Sequence, residues 1–227
     1  MAKIVGRAEE IALLHSLEQS DRSAFVAVYG RRRVGKTFLI RSFYEAPFAF
    51  QLTGIANVGT EQQLVNFHSA FVRNFPQFED NPVSIDWFQA FQQLMTALES
   101  LPLSGKKVLF FDELPWLDTH GALFVPALEH FWNSWASTRS DITLIVCGSA
   151  ASWMINELIN NTGGLYNRIT HTLHLEPFTL AECEAFFKEK SPGMDRYQLL
   201  QLYMVFGGIP FYLDFIDPQK RDRKSVV

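Results

Sequence analysis

Gly30-Arg31-Arg32-Arg33-Val34-Gly35-Lys36-Thr37 is the stretch whose reading decides the fold. Before it runs Ala24-Phe25-Val26-Ala27-Val28-Tyr29, and after it residues 36–45 carry a helical pattern. An unbroken apolar run of that length reads as a strand buried on both faces, the habit of parallel sheets. The spacing GxxxxGK[ST] between such a strand and a helix is the pattern of a phosphate-cradling loop. Its glycines let the backbone curl until several N–H groups converge on an anion, and the helix that starts there adds its positive end. In that setting Lys36 reaches the β- and γ-phosphates of a nucleoside triphosphate and Thr37 places its hydroxyl on Mg²⁺. Gly30, Arg33, Val34, Gly35 and Phe38 complete the nucleotide-contacting stretch. Of Arg31, Arg32 and Arg33, at least one is a candidate to add charge near the nucleotide; loop arginines otherwise point to solvent.

Working outward, the chain alternates strands and helices. Residues 7–20 space apolar side chains as an amphipathic helix does. Residues 48–52 read as a second strand, 61–75 and 84–100 as helices, and 107–111 as a third strand. Helix is expected over 121–138, a fourth strand over 143–147 and a short helix over 151–160, followed by a Gly163-Gly164 loop. A fifth strand is expected between Thr170 and Leu175, with alternation in place of a solid apolar run. This order predicts a three-layer α/β domain with a parallel sheet over 1–175. A smaller helical piece over 176–217 follows, with helices at about 179–190 and 195–206, and then a charged tail over 218–227.

Leu109-Phe110-Phe111-Asp112-Glu113 ends a buried strand on two acids. Asp112 is placed to hold the Mg²⁺ shell, and Glu113 to orient and polarise an attacking water. Gly148-Ser149 ends the fourth strand, where a hydroxyl can contact the γ-phosphate or the water; a plain turn explains a serine there equally. Ser152 is a rival that reads more simply as a helix start. Arg168, just before the fifth strand, either faces a γ-phosphate, in its own chain or a neighbour's, or forms a surface ion pair.

Composition bounds the rest. A 227-residue chain that is 48% hydrophobic and 19% charged, with 21 Phe, can build one substantial core and a small appendage. Net charge is −4, so no overall basic field draws it to nucleic acid. Cys147 and Cys183 lie in no metal spacing and suggest no disulfide framework, which suits a reducing cytosol. His171 and His174, three apart on a strand, point to opposite faces and make poor co-ligands. No stretch approaches the length of a membrane span, and the N-terminus lacks the apolar centre of a signal peptide.

With these motifs assembled, the sequence resembles a P-loop ATPase of the AAA+ and STAND group, and within it the archaeal and bacterial ATPase family whose phosphate loop reads GRRRVGKT. The resemblance rests on Val5-Gly6-Arg7, Gly30 to Thr37, Phe111-Asp112-Glu113, Gly148-Ser149, Arg168 with Leu175-Glu176-Pro177-Phe178, and Gly207-Gly208-Ile209-Pro210. It implies a sheet in the order 5-1-4-3-2 and a small helical lid. It implies that Val5, Gly6 and Arg7 lie near the adenine, that Ser149 is a sensor of the γ-phosphate, and that Arg168 is an arginine-finger candidate. It also implies that Pro210, in a GxP turn, packs on the base. No arginine accompanies that turn, which favours the STAND-like form over ring mechanics. Members of the family continue into a winged-helix domain and a further region, so this chain is expected to be a fragment or a truncated gene product. DNA binding is then expected only through a part that lies outside it.

The combined expectation is a cytoplasmic, Mg²⁺-dependent, ATP-binding and ATP-hydrolysing regulatory switch. Its partners would be ATP and ADP, with a homo-oligomer or an effector protein beyond them and no membrane. One alternative is a binding module that uses ATP without turnover. Another is a small-molecule kinase, against which the Asp112-Glu113 pair argues.

Overall fold

A computed structural model describes residues 4–44, 47–102, 105–160, 167–190 and 194–216. The Gly163-Gly164 loop and the charged tail over 218–227 lie outside the described residues. In chain order the elements are α1 (Ala8–Glu18), β1 (Ala24–Tyr29), α2 (Lys36–Phe43), β2 (Phe50–Thr53), α3 (Thr60–Asn74), α4 (Trp87–Glu99) and β3 (Lys107–Asp112). There follow α5 (Phe124–Ser134), β4 (Ile142–Gly148), α6 (Ala151–Trp153), β5 (His171–His174), α7 (Leu180–Lys190), α8 (Arg196–Phe206) and α9 (Pro210–Asp214).

The five strands form one parallel sheet in the order β2-β3-β4-β1-β5, which read from the other edge is the expected 5-1-4-3-2. The apolar runs explain the order. β4 and nearly all of β1 are buried, and they occupy the centre, where both faces are covered. β2 and β5 alternate buried with more open positions, and they form the edges.

Successive side chains of the central strands feed two separate apolar layers. Phe25, Ala27, Leu109, Phe111, Leu144 and Val146 pack with α3, α4 and α5 on one face. Val26, Val28, Phe110, Ile145 and Cys147 pack with Leu14 and Leu17 of α1 and Leu39 and Ile40 of α2 on the other. The C-terminal helices have a small cluster of their own, built on Phe178, Cys183, Phe187, Leu199 and Leu213.

Three element boundaries depart from the sequence reading. The helix expected over 121–138 stops at Ser134; Trp135 leaves helical geometry, and a 3₁₀ turn takes Ala136–Thr138. The helix expected over 84–100 starts at Trp87, because the Asp86 carboxylate accepts from the Gln89 N–H and caps it. The segment at 151–160 has a single α-helical turn and continues as a π-helical turn over Met154–Ile159. The short helix α9 carried no sequence expectation; Pro210 opens it at a position where a missing N–H costs nothing.

Candidate functional site

All five strands are parallel, so their C-terminal ends share one edge of the sheet, and the loops that leave those ends meet. Gly30–Thr37 leaves β1, Asp112-Glu113 leaves β3, and Ser149 leaves β4. α2 begins at Lys36, so the loop's last turn points the helix N-terminus into this edge.

The side chains there already engage one another. Thr37 Oγ1 donates to Asp112 Oδ2 at 2.8 Å. The Glu113 N–H donates to Asp112 Oδ1 at 3.0 Å. Ser149 Oγ donates to Glu113 Oε2 at 2.9 Å, and Arg32 Nε reaches Ser149 Oγ at 3.5 Å. Lys36 Nζ donates to the carbonyls of Gly30 and Arg31 at 3.0 and 2.9 Å.

Burial sets the protonation balance. Desolvation lowers the Lys36 ammonium's pKa, opposed by the nearby Glu113 and Asp112 charges. Desolvation raises the Asp112 carboxyl's pKa, opposed by its hydrogen bonds from Thr37 and the Glu113 N–H. A buried carboxylate beside a hydroxyl offers two hard oxygen donors, and a divalent cation would relieve the burial of that charge. Mg²⁺ characteristically takes one or two protein oxygens and keeps waters and phosphates for the rest, so this pair fits it.

Beside the loop lies a cavity of about 650 Å³ between the sheet domain and the C-terminal helices. Its walls include Val5, Arg7, Phe38, Phe178, Pro210 and Phe211, and it opens past Lys36 and Thr37 to Glu113. An apolar chamber that runs into a charged loop suits a base at one end and phosphates at the other.

Two arginines join the loop to the helices around this cavity. Arg7, nearly buried, donates through Nη2 to the carbonyls of Val34 and Glu176 at 3.2 and 2.7 Å, and lies 5.1 Å from the Phe178 ring centre. Its backbone N–H reaches Glu182 Oε1 of α7 at 3.4 Å. Arg33 donates through Nη1 to Tyr212 Oη at 2.7 Å and sits 4.6 Å from the Phe211 ring centre. Arg33 and Arg7 both have left-handed backbones, with φ 71° and 60°.

The structure therefore brings together Gly30, Arg33, Val34, Gly35, Lys36, Thr37, Phe38, Asp112, Glu113 and Ser149 at one edge, with Val5, Gly6, Arg7 and Pro210 beside them. It does not bring Arg168 to them. Asn167 and Arg168 line a polar cleft with Asp21, Arg22, Ser23, Ser140 and Asp141, the residues that precede β1 and β4. That is the N-terminal edge of the sheet, about 20 Å of strand away from the loop. Within one chain Arg168 therefore does not face the phosphate loop.

Three aromatic residues of the site had no place in the sequence reading: Phe186 and Phe211 line the cavity, and Tyr212 holds Arg33. Aromatic residues in a helical segment signal core as readily as cavity wall, so composition alone does not separate the two.

Residues 4–215 match a family described as an ATPase domain found predominantly in Archaea. The uncharacterised protein MJECL04 of Methanocaldococcus jannaschii is 25% identical over 211 residues, covering 92% of this chain and 43% of that protein. The Walker-type ATPase PABY2304 of Pyrococcus abyssi superposes with a TM-score of 0.66 at 21% identity, over 92% of this chain and 65% of its own. The STAND protein PH0952 of Pyrococcus horikoshii, which has a tetratricopeptide repeat sensor, gives 0.57 at 17% identity, over 95% of this chain and 30% of its own. The two structural likenesses are likenesses of fold, and this chain spans less than two thirds of each of the three relatives' lengths. No helix among the described residues is long and apolar enough to cross a membrane.

Proposed function

The chain belongs to the family of ATPase domains found predominantly in Archaea, and we propose that it is a Mg²⁺-dependent ATP hydrolase whose nucleotide state sets the posture of its C-terminal helical lid. The observation that carries this reading is the run of contacts from Thr37 through Asp112 and Glu113 to Ser149, 2.8, 3.0 and 2.9 Å long, laid against the phosphate loop.

In this reading the amides of Gly30–Thr37 and the Lys36 ammonium hold the phosphates, and the cavity walled by Val5, Arg7, Phe178 and Pro210 takes the base. Thr37 and Asp112 would hold Mg²⁺, which supplies charge neutralisation of the phosphate oxygens. Glu113 orients a water toward the γ-phosphorus and takes its proton as the P–O bond to ADP breaks. Ser149 keeps the Glu113 carboxylate in place by donating to one oxygen. Arg168 serves a γ-phosphate only across a contact between two copies, since its own loop is at the other edge. The buried thiols Cys147 and Cys183 suit a reducing compartment, and we place the protein in the cytoplasm.

The test is phosphate release with ATP and Mg²⁺. Lys36→Ala is expected to abolish it, and Glu113→Gln to lower it about 100-fold while ATP still binds. Wild-type turnover in Glu113→Gln would remove Glu113 from the base role. A second reading, binding without turnover, draws on Lys36 Nζ, which is engaged by the Gly30 and Arg31 carbonyls. Thermal stabilisation by ATP with no phosphate release would favour it.

A further inference from the structure

Glu113 sits at φ 48°, in the left-handed region that a side chain with a Cβ enters only against strain. Such a residue keeps its conformation only when its surroundings over-determine it. Part of the holding is local: the Trp116 N–H donates to the Glu113 carbonyl at 3.1 Å, closing a tight turn over Leu114–Trp116. Part comes from the end of β2. The Gly54 N–H donates to the Asp112 carbonyl at 2.9 Å, and a Cβ on Gly54 would stand 2.6 Å from the Glu113 carbonyl oxygen.

Both segments are also held by one face of α3. Gln63 is fully buried, and every hydrogen bond of its amide goes to main chain. Its Nε2 donates to the Ile55 carbonyl at 2.7 Å and to the Trp116 carbonyl at 2.8 Å, while Oε1 accepts from the Ile55 N–H at 3.2 Å. One turn before it, Thr60 Oγ1 and Thr119 Oγ1 lie 2.6 Å apart. One turn after it, Asn66 Nδ2 donates to the Thr53 carbonyl at 2.9 Å. Residues 60, 63 and 66 share a helix face because they are three apart. That polar ladder grips the strand end that abuts Glu113 and the turn that carries it.

We propose that Gln63 is a positioning residue for Glu113. Through Trp116 and Ile55, α3 fixes where the carboxylate points, so a displacement of this helix face is transmitted to the water-activating group. A fully buried amide is costly unless its hydrogen bonds are made, which gives the ladder one well-defined arrangement. The inference rests on the assignment of Glu113 as base made above. The side-chain hydrogen bonds of the three ladder residues go to residues other than Gly30–Thr37, so nucleotide binding and turnover separate in the test.

The experiment is a double-mutant cycle on the full chain, with ATP affinity and kcat measured in each variant. Gln63→Leu is expected to lower kcat about 30-fold with ATP affinity unchanged, the scale of a sub-ångström to 1 Å misplacement. In the Glu113→Gln background the same substitution is expected to leave the residual rate unchanged. Equal losses in both backgrounds, or a loss of ATP affinity that matches the loss of rate, would overturn the inference. If Gln63→Leu does not fold, Thr60→Val carries the same cycle, with about a 3-fold loss of kcat expected in the Glu113 background alone. If Glu113→Gln by itself turns over at the wild-type rate, the base assignment fails. If that variant is inactive and Gln63→Leu keeps wild-type kcat, only the positioning inference fails.

Discussion

Gly208→Ala should loosen the C-terminal helical piece from within, while Gly207→Ala next to it should be nearly harmless. Both glycines have left-handed backbones, φ 70° and 62°, so alanine costs each about 1 kcal/mol of conformational strain. There the likeness ends. A Cβ on Gly207 meets nothing within 4 Å, whereas one on Gly208 stands 2.1 Å from the Phe178 carbonyl oxygen. To relieve that overlap the backbone at Gly208 must move by about 1 Å. The move breaks the hydrogen bond from the Phe178 N–H to the Gly208 carbonyl, 2.7 Å long, which contributes about 1 kcal/mol. Displaced packing around Phe178 adds about 1–3 kcal/mol. The whole cost at Gly208 is therefore about 3–5 kcal/mol, against about 1 kcal/mol at Gly207.

The apolar cluster that holds these helices together is small: Phe178, Cys183, Phe187, Leu199 and Leu213. A cost on that scale opens them locally and leaves the sheet intact. Amide hydrogen exchange across α7, α8 and α9 reads this directly, with the β4 amides as the internal control. ATP affinity should fall at least about tenfold in Gly208→Ala, because Phe178, Pro210 and Phe211 wall the cavity. If the two alanine variants exchange alike, or if Gly208→Ala binds ATP as the wild type does, the close approach at Phe178 is not what holds these helices together.

Asp112→Asn should raise the melting temperature of the nucleotide-free protein at neutral pH. Burial raises the Asp112 pKa, so the folded state holds that proton more tightly than the unfolded state; stability falls as pH climbs through the window above the ordinary carboxyl value, and the gain from Asn vanishes below about pH 4. The same variant should lose Mg²⁺-dependent ATP hydrolysis, as phosphate release will show. Ser149→Ala should slow hydrolysis about tenfold with ATP affinity unchanged, since its hydroxyl holds Glu113, and Ser149→Thr should restore most of the rate; a loss of affinity without a loss of rate would contradict that role. Asp141→Asn should destabilise the chain by about 2–4 kcal/mol in denaturant unfolding, because it leaves the buried Lys107 ammonium without its carboxylate. Arg139 and Lys107 hold the Asp141 pKa far below the usual carboxylate range, so the wild-type advantage is present above about pH 4 and is lost as pH falls.

The loop, the strands and the depth of each strand were legible because each is a local signal. Glycine spacing names the loop, and the contrast between the solid run Ala24–Tyr29 and the alternation near His171–His174 separates a central strand from an edge. The strand order came from family resemblance, since no local pattern says that β4 pairs with β1. The ladder on α3 was invisible: Gln63 sits among polar residues on a helix that looks amphipathic, and only the fold shows that its face is buried. Arg168 was legible as a charge near the start of a strand, but not as a charge at the far edge. That distinction depends on which end of β5 meets Gly30, a fact of topology. Arg33 was read as a loop arginine near phosphate, yet its guanidinium lies on aromatic rings of α9, which no sequence expectation had placed.

That placement of Arg33 bounds how strongly the lid and the loop can be coupled. A nucleotide shifts a conformational balance only by the difference in its contacts between two postures. In the proposed switch the contacts that change with the lid's posture are those that cross between the two parts: Arg33 with Tyr212 and Phe211, and Arg7 with Glu182 and Phe178. The Arg33–Tyr212 contact is exposed, and a cation on an exposed ring contributes about 0.5–1 kcal/mol. Arg7 is different: its guanidinium is nearly buried and bonds Val34 and Glu176, both outside the swinging helices, so it stays with the core and gives the lid a fixed pivot. Only its N–H to Glu182 and its face toward Phe178 are at stake when the lid moves. These crossing contacts therefore amount to about 1–3 kcal/mol, a bias of roughly ten- to hundredfold between postures. In the proposed switch, the close approach at Gly208 keeps the lid's own helices together, and the two arginines limit how far nucleotide would tilt them.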